Sequence, residues 1–228
     1  MDFLVSSFVA ALRLIGSFPP DVRDAVRTSL SVSTGATVFA AVFGIPLGLL
    51  IGLTEFPLKR IVVTILNTMM ALPTVVVGLV VYGFLSRQGP LGILGLLFTP
   101  TAIVIGGTLL ATPIVANYSL ASVRGADPRI VPTALTLGAG YLRVVGALIG
   151  EVRFGILAAV IAGFGRVVSE VGVAMMLGGN IRGYSRTMTT AIALETSKGE
   201  FAFGMALGIV LMVVALIANL FLNFLQQR

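Results

Sequence analysis

The sequence contains no cysteine and no histidine, and only 11% of its 228 residues are charged. Thiolate nucleophiles, imidazole-ligated metals and histidine proton relays are therefore excluded. The two lysines, Lys59 and Lys198, lie outside any glycine-rich phosphate-loop motif, so the chain carries no ATP-binding loop of that kind. If the chain performs work, the energy comes from another subunit or from an ion gradient.

Charge is scarce because the chain is mostly apolar. Hydrophobic residues make up 57% of it, and the mean hydropathy is +1.07. A soluble domain carries roughly a quarter charged residues. The net charge of +6 comes from 15 basic residues scattered between apolar runs, without the basic stripe that binds nucleic acid. The composition predicts an integral membrane protein whose cations meet anionic lipid headgroups.

Apolar runs long enough to span a bilayer predict an all-α transmembrane domain over residues 28–225. The predicted spans are 28–53, 61–85, 99–122, 153–177 and 201–225. Residues 1–27 precede them, and their apolar positions recur at helical spacing up to Pro19 and Pro20. We expect an amphipathic helix at the membrane interface there, followed by a hydrated connection. Lysine and arginine are equally frequent on the two sides, so charge bias does not orient the chain.

Small residues and prolines mark the first spans. Gly44, Gly48 and Gly52 recur every four residues, a spacing that lets helix backbones approach closely. Gly204 and Gly208 repeat that spacing in the last span. Each of the first three spans also contains an interior proline, which kinks a helix but is tolerated in membranes: Pro46, Pro73 and Pro113.

The segment 123–152 interrupts the membrane pattern. Asp127 followed by Pro128 is typical of a helix start, and Gly138 is suited to a left-handed helix end. A second short helix is expected from Tyr141. We therefore predict two small helices across one membrane face.

Leu135 and Leu137 are available there as exposed apolar side chains. A surface helix pair of this kind is suited to docking into a groove on a partner.

The sequence "PTALTLGA" at 132–139 resembles the coupling-loop motif of permease subunits of binding-protein-dependent ABC importers, E-A-A-x-x-x-G. Thr133 and Ala134 occupy the two alanine positions and Gly138 the glycine position, whereas Pro132 stands where the family has glutamate. The longer stretch 158–201 is similar to the molybdate and tungstate branch of these permeases, and most similar to tungstate permeases.

The resemblance implies a type I ABC importer permease fold in the inner membrane, with an external N-terminus, a cytoplasmic C-terminus and a cytoplasmic 123–152 loop. It implies a homodimer that forms the pathway for a tetrahedral oxyanion, most readily tungstate. An ATPase dimer and an extracytoplasmic oxyanion-binding protein are the implied partners. ATP and Mg belong to the ATPase, so no cofactor, metal or catalytic residue is expected in this chain. The implied coupling residues are Asp127, Val131, Pro132, Thr133, Ala134, Leu135, Leu137 and Gly138.

Arg166 and Glu170 are ionisable residues inside the predicted fourth span. A lone charge at that depth costs about 2.5–3.5 kcal/mol on insertion scales, and the i, i+4 spacing lets the two side chains pair. They either form a buried structural pair, within one helix or across the dimer seam, that holds the closed gate, or contact a passing anion. Ser169, between them, either lines the pathway or bonds back to its own helix.

The sequence "GGNIRGYSR" follows at 178–186. Its glycines with Asn180 suggest a backbone nest for an anion, with Arg182 and Arg186 adding positive potential at the mouth. Alternatively, the loop contacts the binding protein or packs as a re-entrant plug.

Other functions remain open from the residues alone. A molybdate or sulfate permease has the same pattern as a tungstate permease. A proton-coupled secondary transporter would use Arg166 and Glu170 as its site. A membrane scaffold would need neither residue.

Overall fold

The computed structural model describes residues 2–226, and within them the regular secondary structure is entirely helical. Met1 and Arg228, whose sides of the membrane the resemblance predicts, lie outside the described residues. The helices are α1 (Asp2–Ser17), α2 (Pro20–Leu53), α3 (Lys59–Met70), α4 (Thr74–Leu85), α5 (Pro100–Gly125), α6 (Ile130–Thr136), α7 (Tyr141–Val168), α8 (Gly172–Gly178), α9 (Met188–Ser197) and α10 (Phe201–Gln226), with a 3₁₀ turn at Gly92–Leu94.

Four helices, α2, α5, α7 and α10, are long and apolar enough to cross a membrane. The helices α3 and α4 together pass the same test but are bent by 96° at their break, which is the geometry of a broken span or a re-entrant loop and gives up to five spans. The predicted all-α fold with about five spans is confirmed.

The predicted connection after Pro20 is helical rather than a separate bridge, because α2 begins at Pro20 itself, while Arg23 and Arg27 remain exposed. Proline at the first helical position has its φ angle already set for a helix, and Asp21 in the first turn suits the positive helix end. In α1 the large apolar side chains Leu4 and Phe8 are exposed, while the small Ala11 is fully buried. The predicted apolar face of α1 is thus left outside the bundle.

The core of the bundle is the pair α2 and α5. Where they cross, a Cβ on Gly48 would lie 2.4 Å from the Ala116 carbonyl oxygen, and one on Gly52 would lie 2.7 Å from Val123. Backbones at this distance require glycine, as the four-residue spacing predicts. In α10 the same spacing gives a close contact only at Gly204, where a Cβ would lie 2.8 Å from Thr196 Oγ1 of α9, whereas nothing lies within 4 Å of a Cβ on Gly208.

Two predicted spans are interrupted, and this corrects the sequence analysis. The span 61–85 breaks between Met70 and Thr74, and the span 153–177 breaks between Val168 and Gly172. The predicted short helix from Tyr141 is instead the start of one continuous 28-residue helix, α7.

Three connections share one end of the bundle: α2 to α3, α5 to α6, and α6 to α7. We call it the loop end, after the segment 123–152. The start of α2 and the segment 178–200 lie at the opposite end.

Candidate functional site

At the loop end, α6 projects as a short helix whose side chains are largely accessible. All eight predicted coupling residues lie on it or beside it: Asp127, Val131, Pro132, Thr133, Ala134, Leu135, Leu137 and Gly138. The predicted start at Pro128 is wrong, because α6 begins at Ile130. Asp127 Oδ1 instead accepts the Arg129 N–H at 2.8 Å, which closes a turn before the helix. Gly138, with φ +76°, ends α6 in the left-handed conformation.

Leucine side chains make this projection apolar. Leu135 is 56% exposed, Leu137 82% and Leu142, at the start of α7, 85%. Adjacent apolar side chains this exposed mark an interaction surface. The geometry suits a docking element, while the predicted partner contacts themselves stay a prediction.

The second group of predicted residues lies at the break between α7 and α8. Arg166 is in the last turn of α7, and Ser169 and Glu170 follow it. The Arg166–Glu170 ion pair predicted within one helix is wrong: no carboxylate among the described side chains lies within ion-pair distance of Arg166. The i, i+4 geometry requires a continuous helix, and α7 ends at Val168. The pair across a dimer seam stays a prediction.

Glu170 serves the next helix instead. Its side chain is buried, and Oε1 accepts the Val173 N–H at 3.2 Å, one of the free donors in the first turn of α8. Its backbone carbonyl accepts the Thr189 hydroxyl at 2.7 Å, which ties the break to α9. Ser169 is exposed and bonds back to the Gly165 carbonyl at 2.8 Å, as the second interpretation of this residue expected.

The two broken spans meet at this point. A Cβ on Gly172 would lie 3.1 Å from Thr74 Oγ1 and 3.3 Å from Glu170 Oε1. The start of α4 and the start of α8 are therefore in contact, and Gly78 of α4 packs farther along against Met176 of α8. The glycines at these contacts let two short helices pack together inside the bundle.

A small cavity lies beside this junction. Its volume is about 10 Å³, close to the smallest that holds one water molecule. Most of its lining is apolar, and its polar members are buried side chains from α2, the break and the start of α9: Ser29, Ser33, Glu170, Thr187 and Thr189. Several polar side chains thus gather beside the break between α7 and α8.

The segment "GGNIRGYSR" forms a capped turn rather than an open anion nest. Gly179 and Asn180 both have positive φ, but the Gly179 N–H is bonded to the Met175 carbonyl at 3.0 Å. The Ile181 N–H is bonded to the buried Ser185 hydroxyl at 3.1 Å. Because these donors already have partners, they are not available to an anion.

Both predicted arginines at the mouth are neutralised by carboxylates. Arg182 makes two hydrogen bonds to Asp21 of α2, and these bonds, with the attraction of the carboxylate, raise the pKa of its guanidinium above the usual value. Arg186 is largely buried, with its Nη1 atom 3.5 Å from Glu195 Oε1. Its Nη2 atom donates to the Asn180 carbonyl at 3.5 Å. The re-entrant packing expected as the alternative therefore describes this loop better than an open mouth does.

Sequence reasoning missed the partners at both sites. Asp21 and Glu195 lie 161 and 9 residues from the arginines they neutralise. Thr74 meets Gly172, at the start of α8, only because two spans break at the same level. The role of Asp21 could have been suspected from the sequence, because it is a carboxylate in the first turn of α2. No local sequence pattern predicts the contact of Thr74.

The fold and these sites define a multi-span membrane protein of the transporter class, with broken helices inside the bundle and an exposed apolar helix at one end. The chain belongs to the family described as the binding-protein-dependent transport system inner membrane component, whose model matches residues 44–228. An ATPase and a substrate-binding protein are the partners that membership implies.

Known relatives and a solved structure support this assignment. The chain is 41% identical to the tungstate uptake system permease protein TupB of Peptoclostridium acidaminophilum, over 100% of both chains. It is 40% identical to TupB of Campylobacter jejuni, over 100% of this chain and 95% of that protein. It also resembles an inward-facing structure of the MetNI methionine ABC transporter with a TM-score of 0.75, at 18% identity over 90% of this chain and 94% of that one. The predicted type I ABC importer permease fold is confirmed.

Proposed function

We propose that this chain is the membrane permease of an ATP-driven importer of tungstate. The observation that carries the proposal is the 41% identity to a tungstate uptake permease over the full length of both chains. The capped loop and the polar side chains beside the break between α7 and α8 are compatible with a pathway that opens only when the helices move.

The opposite positions of the loop end and of the segment 178–200 support the following assembly. Two copies form the pathway, and the loop end faces the cytoplasm, where α6 docks into a separate ATPase that binds ATP and Mg. The N-terminus and the segment 178–200 then lie outside, where a binding protein delivers the anion. ATP drives transport because it binds one conformation of the complex better than the other.

Tungstate, molybdate and sulfate are tetrahedral dianions, so the pathway sees nearly the same shape and charge in each. Arg182 and Arg186, the predicted cations at the mouth, are already paired. Selection therefore falls mainly on the binding protein, and the permease supplies a route for the class.

The proposal is tested on the whole transporter. A tagged chain is purified from its native membranes in mild detergent, and the co-purifying proteins are identified. The complex is reconstituted in vesicles with its binding protein, and ATP hydrolysis and anion uptake are measured with tungstate, molybdate or sulfate.

We expect an ATPase in the eluate and ATP hydrolysis stimulated most strongly by tungstate at limiting concentration. Stimulation by molybdate or sulfate at lower concentrations would reassign the cargo. Uptake by the chain alone, driven by a proton gradient without ATP, would overturn the proposal in favour of a secondary transporter.

A further inference from the structure

The helix α3 presents three distinct faces. Its buried face, with Leu66 and Val62, packs against Ile51 of α2 and Leu120 of α5. A second face is apolar and exposed: Ile61, Ile65 and Met69. The third face is polar and exposed, and we call its residues the polar face of α3: Arg60, Thr64, Asn67 and Thr68.

For three of these four polar side chains, a position on the exposed surface of a membrane helix is ordinary. The hydroxyls of Thr64 and Thr68 bond to carbonyls one turn earlier, at 2.8 and 2.9 Å, which is common for threonine in membrane helices. Arg60 lies at the helix start, where a long side chain reaches water. Asn67 is different, because it lies two turns into the helix and is exposed.

Asn67 forms an amide pair with Asn117 of α5, whose Nδ2 donates to Asn67 Oδ1. Asn117 also approaches Met70 Sδ at 3.0 Å. One hydrogen bond between two amides leaves an NH₂ group on one side chain and an oxygen on the other without a protein partner, whichever way each amide is turned. Lipid tails cannot satisfy these groups, so polar side chains at such depth face a cavity or the bundle interior.

The polar face ends at a cleft of about 970 Å³ at the loop end, lined by Thr64 and by charged side chains from three segments. The charged residues are Glu55, Lys59, Arg60 and Arg124. Lys59 pairs with Glu55 at 2.8 Å, and that hydrogen bond lowers the pKa of the Glu55 carboxyl. Arg60 and Arg124 are exposed and have no carboxylate partner among the described side chains.

These cations do not stabilise α3. Positive side chains at a helix start oppose the helix dipole, and the first turn of α3 contains no acidic residue. Leu58 at the N-cap has φ +70° and provides no side-chain hydrogen bond. Arg124 lies instead in the last turn of α5, where a cation suits the helix dipole, and its charge also lowers the pKa of Glu55. With Glu55 paired to Lys59, Arg60 and Arg124 still leave the cleft with an excess of positive charge, which suits an anion.

We propose that the polar face of α3, with Asn117, lines the half of the oxyanion pathway nearest the loop end, and that Arg60 and Arg124 form its exit. This inference rests on the proposed import of a tetrahedral dianion. The amide NH₂ of Asn67 is a neutral donor that holds such an anion weakly enough to release it. The threonine hydroxyls keep the wall polar while their hydrogens stay bonded to the preceding turn, and the cations at the cleft draw the anion out at the end. In the dimer the same face of the second copy lines the opposite wall.

Because the chain contains no cysteine, single cysteines report on each face without background from this chain, whose labelling is read after it is separated from its partner subunits. Cysteines are introduced on the polar face (Thr64→Cys, Asn67→Cys, Thr68→Cys) and on the exposed apolar face (Ile61→Cys, Ile65→Cys, Met69→Cys). The intact transporter in vesicles is treated with charged, membrane-impermeant thiol reagents, anionic or cationic, both at rest and trapped with ATP and vanadate.

We expect labelling on the polar face and none on the apolar face, faster with the anionic reagent and slowed by tungstate. Equal labelling of both faces, or no labelling of the polar face in either state, would overturn the inference. Each variant is also assayed for ATP hydrolysis stimulated by the loaded binding protein. If the unsubstituted transporter shows no such ATP hydrolysis, the proposed function is refuted. Failure of the proposed function is therefore distinguishable from failure of the pathway assignment.

The exit is tested by Arg60→Gln/Arg124→Gln, with Arg27→Gln/Arg87→Gln as the control that removes two exposed, unpaired cations from the opposite end. We expect the exit variant to lower anion uptake per ATP hydrolysed by roughly tenfold, the lower end of what focused charge contributes to ligand association, and the control to leave it unchanged. An equal loss in both variants would refute a specific exit. A loss seen only in vesicles that contain anionic lipid would assign the cleft to a phospholipid headgroup and overturn the exit.

Discussion

The contact between α2 and α5 makes a quantitative prediction for Gly48→Ala. The added Cβ would lie 2.4 Å from the Ala116 carbonyl oxygen, 2.8 Å from Ser119 Cβ and 3.0 Å from the Leu120 nitrogen. Two of these atoms belong to the backbone, so no side chain can rotate away. The helices must therefore separate by roughly 1 Å to restore ordinary contact distances of about 3.5 Å.

Overpacking of this kind costs about 1–3 kcal/mol, while replacing a helical glycine with alanine returns up to about 1 kcal/mol. A net loss of about 2 kcal/mol lowers the melting temperature of a protein of this size by roughly 4–8 °C. The assay is the fraction of purified transporter that stays monodisperse in size-exclusion chromatography after heating at a fixed rate.

Gly83→Ala in α4 is the matched control, since nothing lies within 4 Å of a Cβ there. It should leave the melting temperature unchanged or raise it slightly. Gly44→Ala should fall between the two, because its closest contact would be 2.9 Å. If Gly48→Ala and Gly83→Ala have the same melting temperature, the close approach of α2 and α5 is wrong.

Three further predictions concern the sites. Leu135→Asp/Leu137→Asp should abolish co-purification of the ATPase without preventing membrane insertion, because charge replaces two exposed apolar side chains. Glu170→Ala should cost about 1–3 kcal/mol in the melting assay, because it leaves a buried N–H without its acceptor, and Glu170→Gln should cost less. Arg182→Gln should lower the melting temperature slightly at low salt and not at 1 M salt, because its pair with Asp21 is exposed and screened.

Each of these has its own control. Ile93→Asp changes a 95% exposed side chain outside α6 and should keep the ATPase bound; ATPase retained by the leucine variant would refute the docking assignment. Equal losses from Glu170→Ala and Glu170→Gln would mean that the charge matters rather than the hydrogen bond. A loss at Arg182 that persists in 1 M salt would contradict the exposed pairing.

The number of spans was predictable because it depends on apolar length alone, and α5 and α10 follow their apolar runs closely. The breaks were less accessible. Pro46 and Pro113 lie within continuous helices, whereas Pro73 lies at a 96° bend. The same residue type thus gives two outcomes, since neighbouring helices decide whether the freed carbonyl finds a partner.

The error at Glu170 had a single cause. No proline precedes this residue, so the span read as continuous, and continuity implied pairing with Arg166. Once α7 ends at Val168, Glu170 instead faces the first turn of α8. The polar face of α3 was equally difficult to predict from the sequence. Its threonines and asparagine are sparse among apolar neighbours, and only the packing of the helix shows that they share one exposed side.

The continuity of α7 has a mechanical consequence. A helix of 28 residues is about 42 Å long, and this one joins the docking helix α6 directly to the break beside Glu170. It acts as a lever arm, so a tilt of about 5° about its loop end displaces its far end by about 4 Å. An angular change too small to disturb packing near α6 thus becomes a displacement larger than a water molecule at this break.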